Sequence, residues 1–170
     1  LRACADQREI HAIDWKTLEY HPVAKPRFAS VEAARQVEDL PARLRQLVAS
    51  NDRAGEFLWK LFSDVFIYSA AMVPEISDRI VEIDRAMRWG YAHTYGPFEL
   101  WDVLGFEEVS KRIEAEKREL PENVHRARDA GAKSLYAQAS RDRRPVTKYL
   151  DFAKLEYLEL EPRPGIIVLK

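Results

Sequence analysis

The segment between Asp52 and Pro74 carries the strongest periodic pattern in the sequence. Its apolar positions recur at steps of three and four residues, and they are Ala54, Phe57, Leu58, Leu61, Phe62, Val65, Phe66, Ser69 and Met72. This spacing predicts an α-helix that begins near Asp52 and is ended by Pro74. Because the stripe is wide and aromatic, we expect the helix to lie at the centre of the core. A chain of 170 residues has room for one such domain with a small appendage.

Capping and helix-breaking residues predict six further helices around this one. The predicted limits, in chain order, are Ser30 as an N-cap, Pro41 as a first helical residue, Ser77 as an N-cap with Gly90 as a left-handed end, Pro97 to Gly105, Phe106 to Leu120, and Pro121 to Gly131. The helical part therefore extends over residues 30–131. The fold class expected from this pattern is mainly α.

Strand-like patterns lie on both sides of the helical part. Residues 9–14 and 18–20 alternate as a hairpin does, and residues 20–28 follow as an extended connector. Residues 134–137, 147–152 and 155–160 predict a second small hairpin or meander, and Ile166–Leu169 suggests the first strand of a following domain. We therefore divide the chain into residues 1–29, 30–131 and 132–170. Since it does not begin with Met, we expect it to be part of a longer protein.

Composition excludes several classes of function. The 27 basic and 28 acidic residues leave a net charge of −1, which disfavours binding to nucleic acid. No apolar run reaches the roughly 18 residues that a membrane span requires, and the first residues do not form a signal peptide. A single cysteine, Cys4, allows no internal disulfide and fits a cytoplasmic location. None of the six glycines has a phosphate-binding spacing, so we expect no nucleotide cofactor in this chain.

Titratable residues give no catalytic or metal site at this level. The four histidines lack the four-residue spacing of a helical metal pair, and we expect His93, which lies in a loop, to bond to nearby backbone. Glu99 and Asp102 share a helix face, and capping at a helix start is favoured over acid–base chemistry for them. A basic cluster, Arg141, Arg143, Arg144 and Lys148, is interpreted as a solvated loop, with coenzyme A phosphates as the alternative ligand.

Residues 82–105 resemble a known family. They contain an Asp-x-Ala-Met-x-x-Gly helix followed by Gly-Pro-Phe-x-x-x-Asp-x-x-Gly, as in the C-terminal helical domain of 3-hydroxyacyl-CoA dehydrogenases. The resemblance covers about residues 30–130 and implies a fold like the C-terminal domain of 6-phosphogluconate dehydrogenase. It implies architectural roles for the residues that match the motif: Asp84, Gly90, Gly96, Pro97, Phe98, Asp102 and Gly105. Asp84 and Asp102 are expected to be caps or loop anchors.

The resemblance also implies a longer parent protein. The parent would be an NAD-dependent oxidoreductase of fatty-acid β-oxidation, fused to an enoyl-CoA hydratase, with this chain as its second, non-catalytic helical repeat. The family's active-site Asn-Arg pair is replaced here by Gly55-Glu56-Phe57-Leu58-Trp59, so no catalytic, cofactor-binding or metal residue is assigned. Expected partners are the parent's Rossmann and hydratase domains, acyl-CoA through the parent, and a second copy of the chain. The alternative is a stand-alone helical dimerisation or interaction module.

Overall fold

A computed structural model describes residues 2–3, 10–23, 26–141 and 144–160 of the chain, with only the backbone for 2–3, 139–141 and 144–146. Within these residues, seven helices lie between two small antiparallel sheets, which confirms the mainly α fold with β-hairpins at both ends. The helices are α1 (Ala29–Ala34), α2 (Leu40–Val48), α3 (Arg53–Ala71), α4 (Ile80–Tyr91), α5 (Pro97–Leu104), α6 (Phe106–Ala115) and α7 (Glu122–Asp129).

Helix α3 is central to the core, as predicted. Phe66 is fully buried, its ring stacks on that of Trp101 with centroids 5.1 Å apart, and Trp101 in turn meets the edge of Phe106. The predicted apolar stripe is wider than the buried face, however, because Phe57 and Leu61 are exposed. Periodicity therefore predicted the helix correctly, but it overestimated the part of the helix surface that is buried in the described structure.

The start of α3 explains one wrong prediction. Asp52 is the N-cap of α3 and accepts a hydrogen bond from the Gly55 backbone N–H at 3.0 Å. The same carboxylate accepts the hydroxyl of Ser30 at 2.9 Å and its backbone N–H at 3.2 Å. Ser30 is therefore not an N-cap: α1 begins one residue earlier, at Ala29, and the serine hydroxyl bonds to a distant carboxylate instead of its own helix.

Both predicted limits of α4 are wrong. Ser77 is not the N-cap, because its hydroxyl accepts from the backbone N–H of Arg79 in a local turn and α4 begins only at Ile80. Gly90 is not the left-handed end either. It lies inside the helix, and the residue with positive φ is Ala92 (φ 55°), two positions later. The helix therefore continues past its glycine and is ended by Ala92, which adopts the left-handed conformation without being a glycine.

Helix α6 is shorter than the predicted 106–120. It ends at Ala115, because Lys117 adopts a left-handed conformation with φ 58°. The backbone N–H of Arg118 then donates back to the carbonyl of Ile113 at 3.2 Å, which closes the last turn. The other predicted limits agree with the structure to within one or two residues: Pro41 is the second residue of α2, and Pro97–Gly105 and Pro121–Gly131 bound α5 and α7.

The two sheets confirm the predicted terminal hairpins. The first contains β1 (Arg2–Ala3), β2 (Ile10–Ile13) and β3 (Tyr20–Pro22), and the second contains β4 (Tyr136–Arg141), β5 (Arg144–Asp151) and β6 (Glu156–Glu159). Tyr149, Leu150 and Phe152, from β5 and the turn after it, are buried among the helices, so the second sheet belongs to the core. The predicted strand Ile166–Leu169 lies outside the described residues.

Candidate functional site

A buried carboxylate, Asp84 on α4, organises the residues of the family-like motif. Only 2% of Asp84 is exposed, and its two oxygens accept the backbone N–H groups of Phe98 at 2.8 Å and Glu99 at 3.0 Å. These are the unpaired amides of the first turn of α5, which an N-cap side chain satisfies in most helices. Gly96 stands at the N-cap position of α5 and has no side chain, so Asp84 caps α5 from a different helix.

Gly96 is required by this cap. A Cβ atom on Gly96 would lie 2.3 Å from both the Cα and the Oδ1 of Asp84, distances that no pair of non-bonded heavy atoms tolerates. The backbone N–H of Gly96 donates to Oε2 of Glu99 at 2.9 Å, and the other oxygen of Glu99 accepts from Arg88 at 2.8 Å. Because Gly96 has no side chain, α4 and the start of α5 can come into contact. The ion pair between Arg88 and Glu99 links the two helices at the partly exposed edge of this contact.

A second motif carboxylate, Asp102, connects α5 to the C-terminal sheet. Its oxygens accept the backbone N–H groups of Leu135 at 2.8 and 2.9 Å and of Tyr136 at 2.7 Å. The hydroxyl of Tyr136 donates to Asp84 at 2.7 Å. Asp84, Asp102 and Tyr136 therefore form one junction between α4, α5 and β4, with Asp84 buried and the other two half-buried, which we call the carboxylate junction.

Burial dominates the electrostatics of the carboxylate junction. It raises the pKa of Asp84 to about 7 and that of Asp102 to about 6, although the hydrogen bonds that each accepts favour the charged form. Burial and the nearby Asp84 charge raise the pKa of the Tyr136 hydroxyl as well. Perturbed carboxylates are common in active sites. Here the two carboxylates accept from backbone amides of α5 and the start of β4 and from the Tyr136 hydroxyl, so the arrangement joins elements of the fold.

The remaining motif residues also have architectural positions. Pro97 and Phe98 are buried in the first turn of α5, where Phe98 meets the edge of Phe152, and Gly105 ends α5 with φ 98°. Gly90 is the exception, because it is exposed on α4 and no atom lies within 4 Å of where its Cβ would be. Five of the seven motif residues therefore lie at the contact of α4 with α5 or at the ends of α5, and Asp102 joins α5 to β4.

Sequence reasoning missed two members of this arrangement. Tyr136 lies 52 residues from Asp84 along the chain, and nothing in the pattern of β4 marks its hydroxyl as a partner of a carboxylate. Arg88 belongs to a run of charged residues on α4 in which no one member stands out. The spacing of Glu99 from Gly96 is the only local signal, because a glutamate three residues after an N-cap position is typical of a capping box.

The other candidate residues are dispersed. His93 is exposed and its ring lies 6.0 Å from that of Tyr91, while His125 lies 3.6 Å from Glu114. Among the described residues there is no group of three or more His, Cys, Asp or Glu able to hold a metal ion.

Cys4 and Arg143 lie outside the described residues, as do the side chains of the other two arginines of the basic cluster. None of the described helices is both long enough and apolar enough to cross a bilayer.

Comparison with known protein families identifies the class of this helical domain. The family model for the 3-hydroxyacyl-CoA dehydrogenase C-terminal domain matches residues 59–147, just over half of the chain. The chain therefore belongs to the 3-hydroxyacyl-CoA dehydrogenase C-terminal domain family. The prediction from the Asp84–Gly105 motif is confirmed.

The relatives that match are much longer proteins. A Bacillus subtilis protein named for 3-hydroxyacyl-CoA dehydrogenase is 35% identical over 129 residues, which are 76% of this chain and 16% of the relative. A Rickettsia prowazekii protein named for a fatty acid oxidation complex trifunctional enzyme is 33% identical over 91 residues, or 54% of this chain and 11% of the relative. The chain thus spans about a sixth or less of these relatives. No solved structure matches it significantly.

Proposed function

We propose that this chain is the second, non-catalytic helical repeat of a longer fatty-acid β-oxidation enzyme. The parent would oxidise 3-hydroxyacyl-CoA to 3-ketoacyl-CoA with NAD in the cytoplasm, and it would carry an enoyl-CoA hydratase in the same polypeptide. In this proposal residues 30–131 form the repeat, and residues 1–29 and 132–170 connect it to neighbouring domains. The repeat would pack against the catalytic helical copy, complete the wall of the acyl-CoA cleft and position the hydratase.

The residues present do not fit NAD. A dinucleotide site places its pyrophosphate against the unpaired amides at a helix N-terminus, next to closely spaced glycines. The N-terminus of α5, which follows Gly96, already has its amides bonded to the carboxylate of Asp84 at 2.8 and 3.0 Å. A second anion at that place would meet a carboxylate instead of N–H donors. NAD would therefore bind to another domain of the parent.

The observation that carries the proposal is an exposed aromatic surface on two helices. On α3, Phe57 is 64% and Tyr68 67% exposed, and their spacing of eleven residues places them on one helix face. At the end of α4, Trp89 is 58% and Tyr91 72% exposed. With Leu61, which is 43% exposed, the α3 residues form a continuous apolar face, and an exposed face of this kind marks a contact with another protein or domain. A packing domain of a larger enzyme requires surfaces of this kind.

Gly90 supports the same conclusion. Glycine inside a helix costs about 1 kcal/mol relative to alanine. Apart from its chain neighbours and its own helix backbone, no atom of the described residues lies within 4 Å of where its Cβ would be, so the described fold gives no reason for glycine at this position. The space lies between Trp89 and Tyr91, where a neighbouring domain would approach the α4 backbone directly. The glycine is explained if that contact forms in the parent.

A second candidate function is a self-associating helical module, which the exposed α3 face favours. A self-complementary helix face gives a symmetric dimer, in which both copies use the same surface. The two candidates differ in the partner that covers Phe57 and Tyr68. The two candidate functions are distinguished by measuring whether the isolated chain associates with itself or with the rest of the parent.

Sedimentation velocity at several concentrations tests both candidates. We expect the isolated chain to be monomeric. We also expect it to form a 1:1 complex with a version of the parent polypeptide that lacks the 170 residues of this chain. The double variant Phe57→Ser, Tyr68→Ser is expected to weaken that complex at least tenfold, whereas Ile76→Ser, which removes an equally exposed apolar side chain outside the helices, leaves it unchanged. Dimers of the isolated chain would support the self-associating module. A chain that binds neither partner would contradict both.

A further inference from the structure

A small pocket lies between α2, α3, α5 and α6, away from the carboxylate junction. Its volume is about 220 Å³, and it opens to solvent. Its lining combines an apolar floor with charged side chains at the mouth: Val48, Ala49, Trp59, Leu104 and Val109, with Arg45, Glu108 and Arg112. No residue that was predicted from the sequence as functional belongs to it.

Backbone contacts hold both arginines at the pocket. Arg45 donates through Nη1 to the carbonyl of Val103 at 2.7 Å, and Arg112 donates through Nη1 to the carbonyl of Val48 at 3.3 Å. The Arg112 guanidinium also stacks on the ring of Trp59, 3.8 Å from its centre. A guanidinium has five N–H donors, so each of these anchored groups keeps donors for a further acceptor. The charges are thus pre-positioned, which lowers the entropy cost of binding.

The charge of the pocket favours an anionic ligand. Within the described part of the chain, Arg45 makes no ion pair. Arg112 lies 3.7 Å from Glu116, a carboxylate that also accepts the indole N–H of Trp59 at 2.6 Å and lies 3.7 Å from Arg118. Glu108 is the one carboxylate of the lining, which leaves the lining with an excess of one positive charge. Arginine at an apolar pocket is also the residue type that most often anchors a protein–protein contact.

The volume limits what the apolar part accepts. Sites for whole cofactors and drug-sized molecules span about 300–1,000 Å³, so an entire coenzyme A thioester does not fit into 220 Å³. A dry cavity of about 150 Å³ holds a benzene molecule. The pocket therefore matches one aromatic ring or one branched aliphatic side chain. A ligand must supply its negative charge from groups that lie next to this side chain, at the mouth.

We propose that this pocket is a docking site for an acidic peptide segment of a partner, which inserts one large apolar side chain. The side chain packs on Val48, Val109 and the Trp59 ring, and neighbouring carboxylates pair with Arg45 and Arg112. The apolar floor gives affinity, and the two arginines give selectivity for acidic flanks. The inference is independent of the proposed function, because it needs neither the exposed α3 face nor the rest of the parent.

Two short peptides and three variants test the docking site. The probe is acetyl-Asp-Asp-Phe-Asp-Asp-amide, and its charge-reversed control is acetyl-Lys-Lys-Phe-Lys-Lys-amide. Binding is followed by ¹H–¹⁵N NMR as the change in chemical shift of the Trp59 indole N–H during a titration, which gives a dissociation constant. We expect the acidic peptide to bind at least tenfold more tightly than the basic one. Ala49→Trp, which fills the pocket without changing charge, should weaken binding at least tenfold. Arg45→Gln should weaken it about fivefold.

Arg126→Gln removes an exposed arginine of α7 that does not line the pocket, and it is expected to leave the dissociation constant unchanged. Thermal unfolding verifies that each variant is folded before it is compared. Failure of the wild type to bind the acidic peptide would overturn the proposal, as would equal binding of both peptides or binding that survives Ala49→Trp. Binding of hexanoate in place of the peptide would also overturn it.

Discussion

Gly96→Ala is expected to lower the free energy of unfolding by about 4 kcal/mol. The added Cβ would lie 2.3–2.4 Å from the Cα, Cβ and Oδ1 atoms of Asp84, so α4 and α5 must move apart. Overpacking of a core costs about 1–3 kcal/mol. Separation of the two helices also weakens the buried bonds from Asp84 to the amides of Phe98 and Glu99, and an unsatisfied buried donor costs about 1–3 kcal/mol. Urea denaturation followed by far-UV circular dichroism measures the change.

Gly90→Ala is the matched control, because it makes the same chemical change in the same motif. Nothing lies within 4 Å of the new methyl group, and the position is helical. The variant is therefore expected to be more stable than wild type, by about 0.5–1 kcal/mol. If Gly96→Ala costs less than 1 kcal/mol, or if both variants change stability alike, the close contact between Gly96 and Asp84 does not govern the packing of α4 against α5.

The stability difference between wild type and Asp84→Asn is expected to change with pH by up to about 4 kcal/mol. Burial raises the pKa of Asp84 from its ordinary 3.8 to about 7. Between these values the folded chain keeps a proton that the unfolded chain releases. The free energy of unfolding of wild type therefore falls as pH rises from about 4 to 7. The asparagine variant lacks this titration, so wild type loses stability relative to it over that window.

Urea denaturation at several pH values between 4 and 8 measures this difference. Asp102→Asn provides a comparison, because the pKa of Asp102 is raised only to about 6 and its effect should be smaller and complete at lower pH. A wild type that gains stability relative to Asp84→Asn as pH rises would contradict this prediction. That result would mean that the three hydrogen bonds to Asp84 outweigh its burial and keep it charged.

The sequence was sufficient to predict the elements whose signals are local. The apolar periodicity of residues 54–72 predicted α3, and Pro97 with Gly105 bounded α5, because proline fixes φ and glycine readily adopts the positive φ of a helix end. The Asp84–Gly105 motif also led to the right family. The helix signals depend on residues within about two turns of each other, so no knowledge of the tertiary structure was needed to interpret them.

The Ser30 prediction failed, and the cap of α5 was missed, because the partners are distant in the sequence. Ser30 has the side chain of a helix cap, but its hydroxyl bonds to Asp52, which lies 22 residues later. The true cap of α5 is Asp84, which precedes the helix by 13 residues, and the third member of the junction, Tyr136, comes from a strand. Local propensity cannot distinguish a local cap from one that is supplied across the fold, since both satisfy the same amides.

The width of the α3 stripe could not be interpreted from the chain alone. Phe57 and Leu61 follow the helical period as the buried Phe66 does, yet they face solvent. A periodic pattern records every face that becomes buried in the whole protein, including faces that another domain covers. The excess of apolar positions over buried ones is therefore informative about partners, and it agrees with a chain that spans a small part of its relatives.

The central claim is that this domain contributes shape and contacts to its parent while chemistry takes place elsewhere. The most direct test is to incubate the purified chain with NAD and a 3-hydroxyacyl-CoA and to follow NADH by its absorbance and fluorescence. The account predicts no turnover above a blank without protein, and no saturable binding of added NADH at micromolar concentrations. Turnover by the chain alone, with no other domain of the parent present, would contradict it.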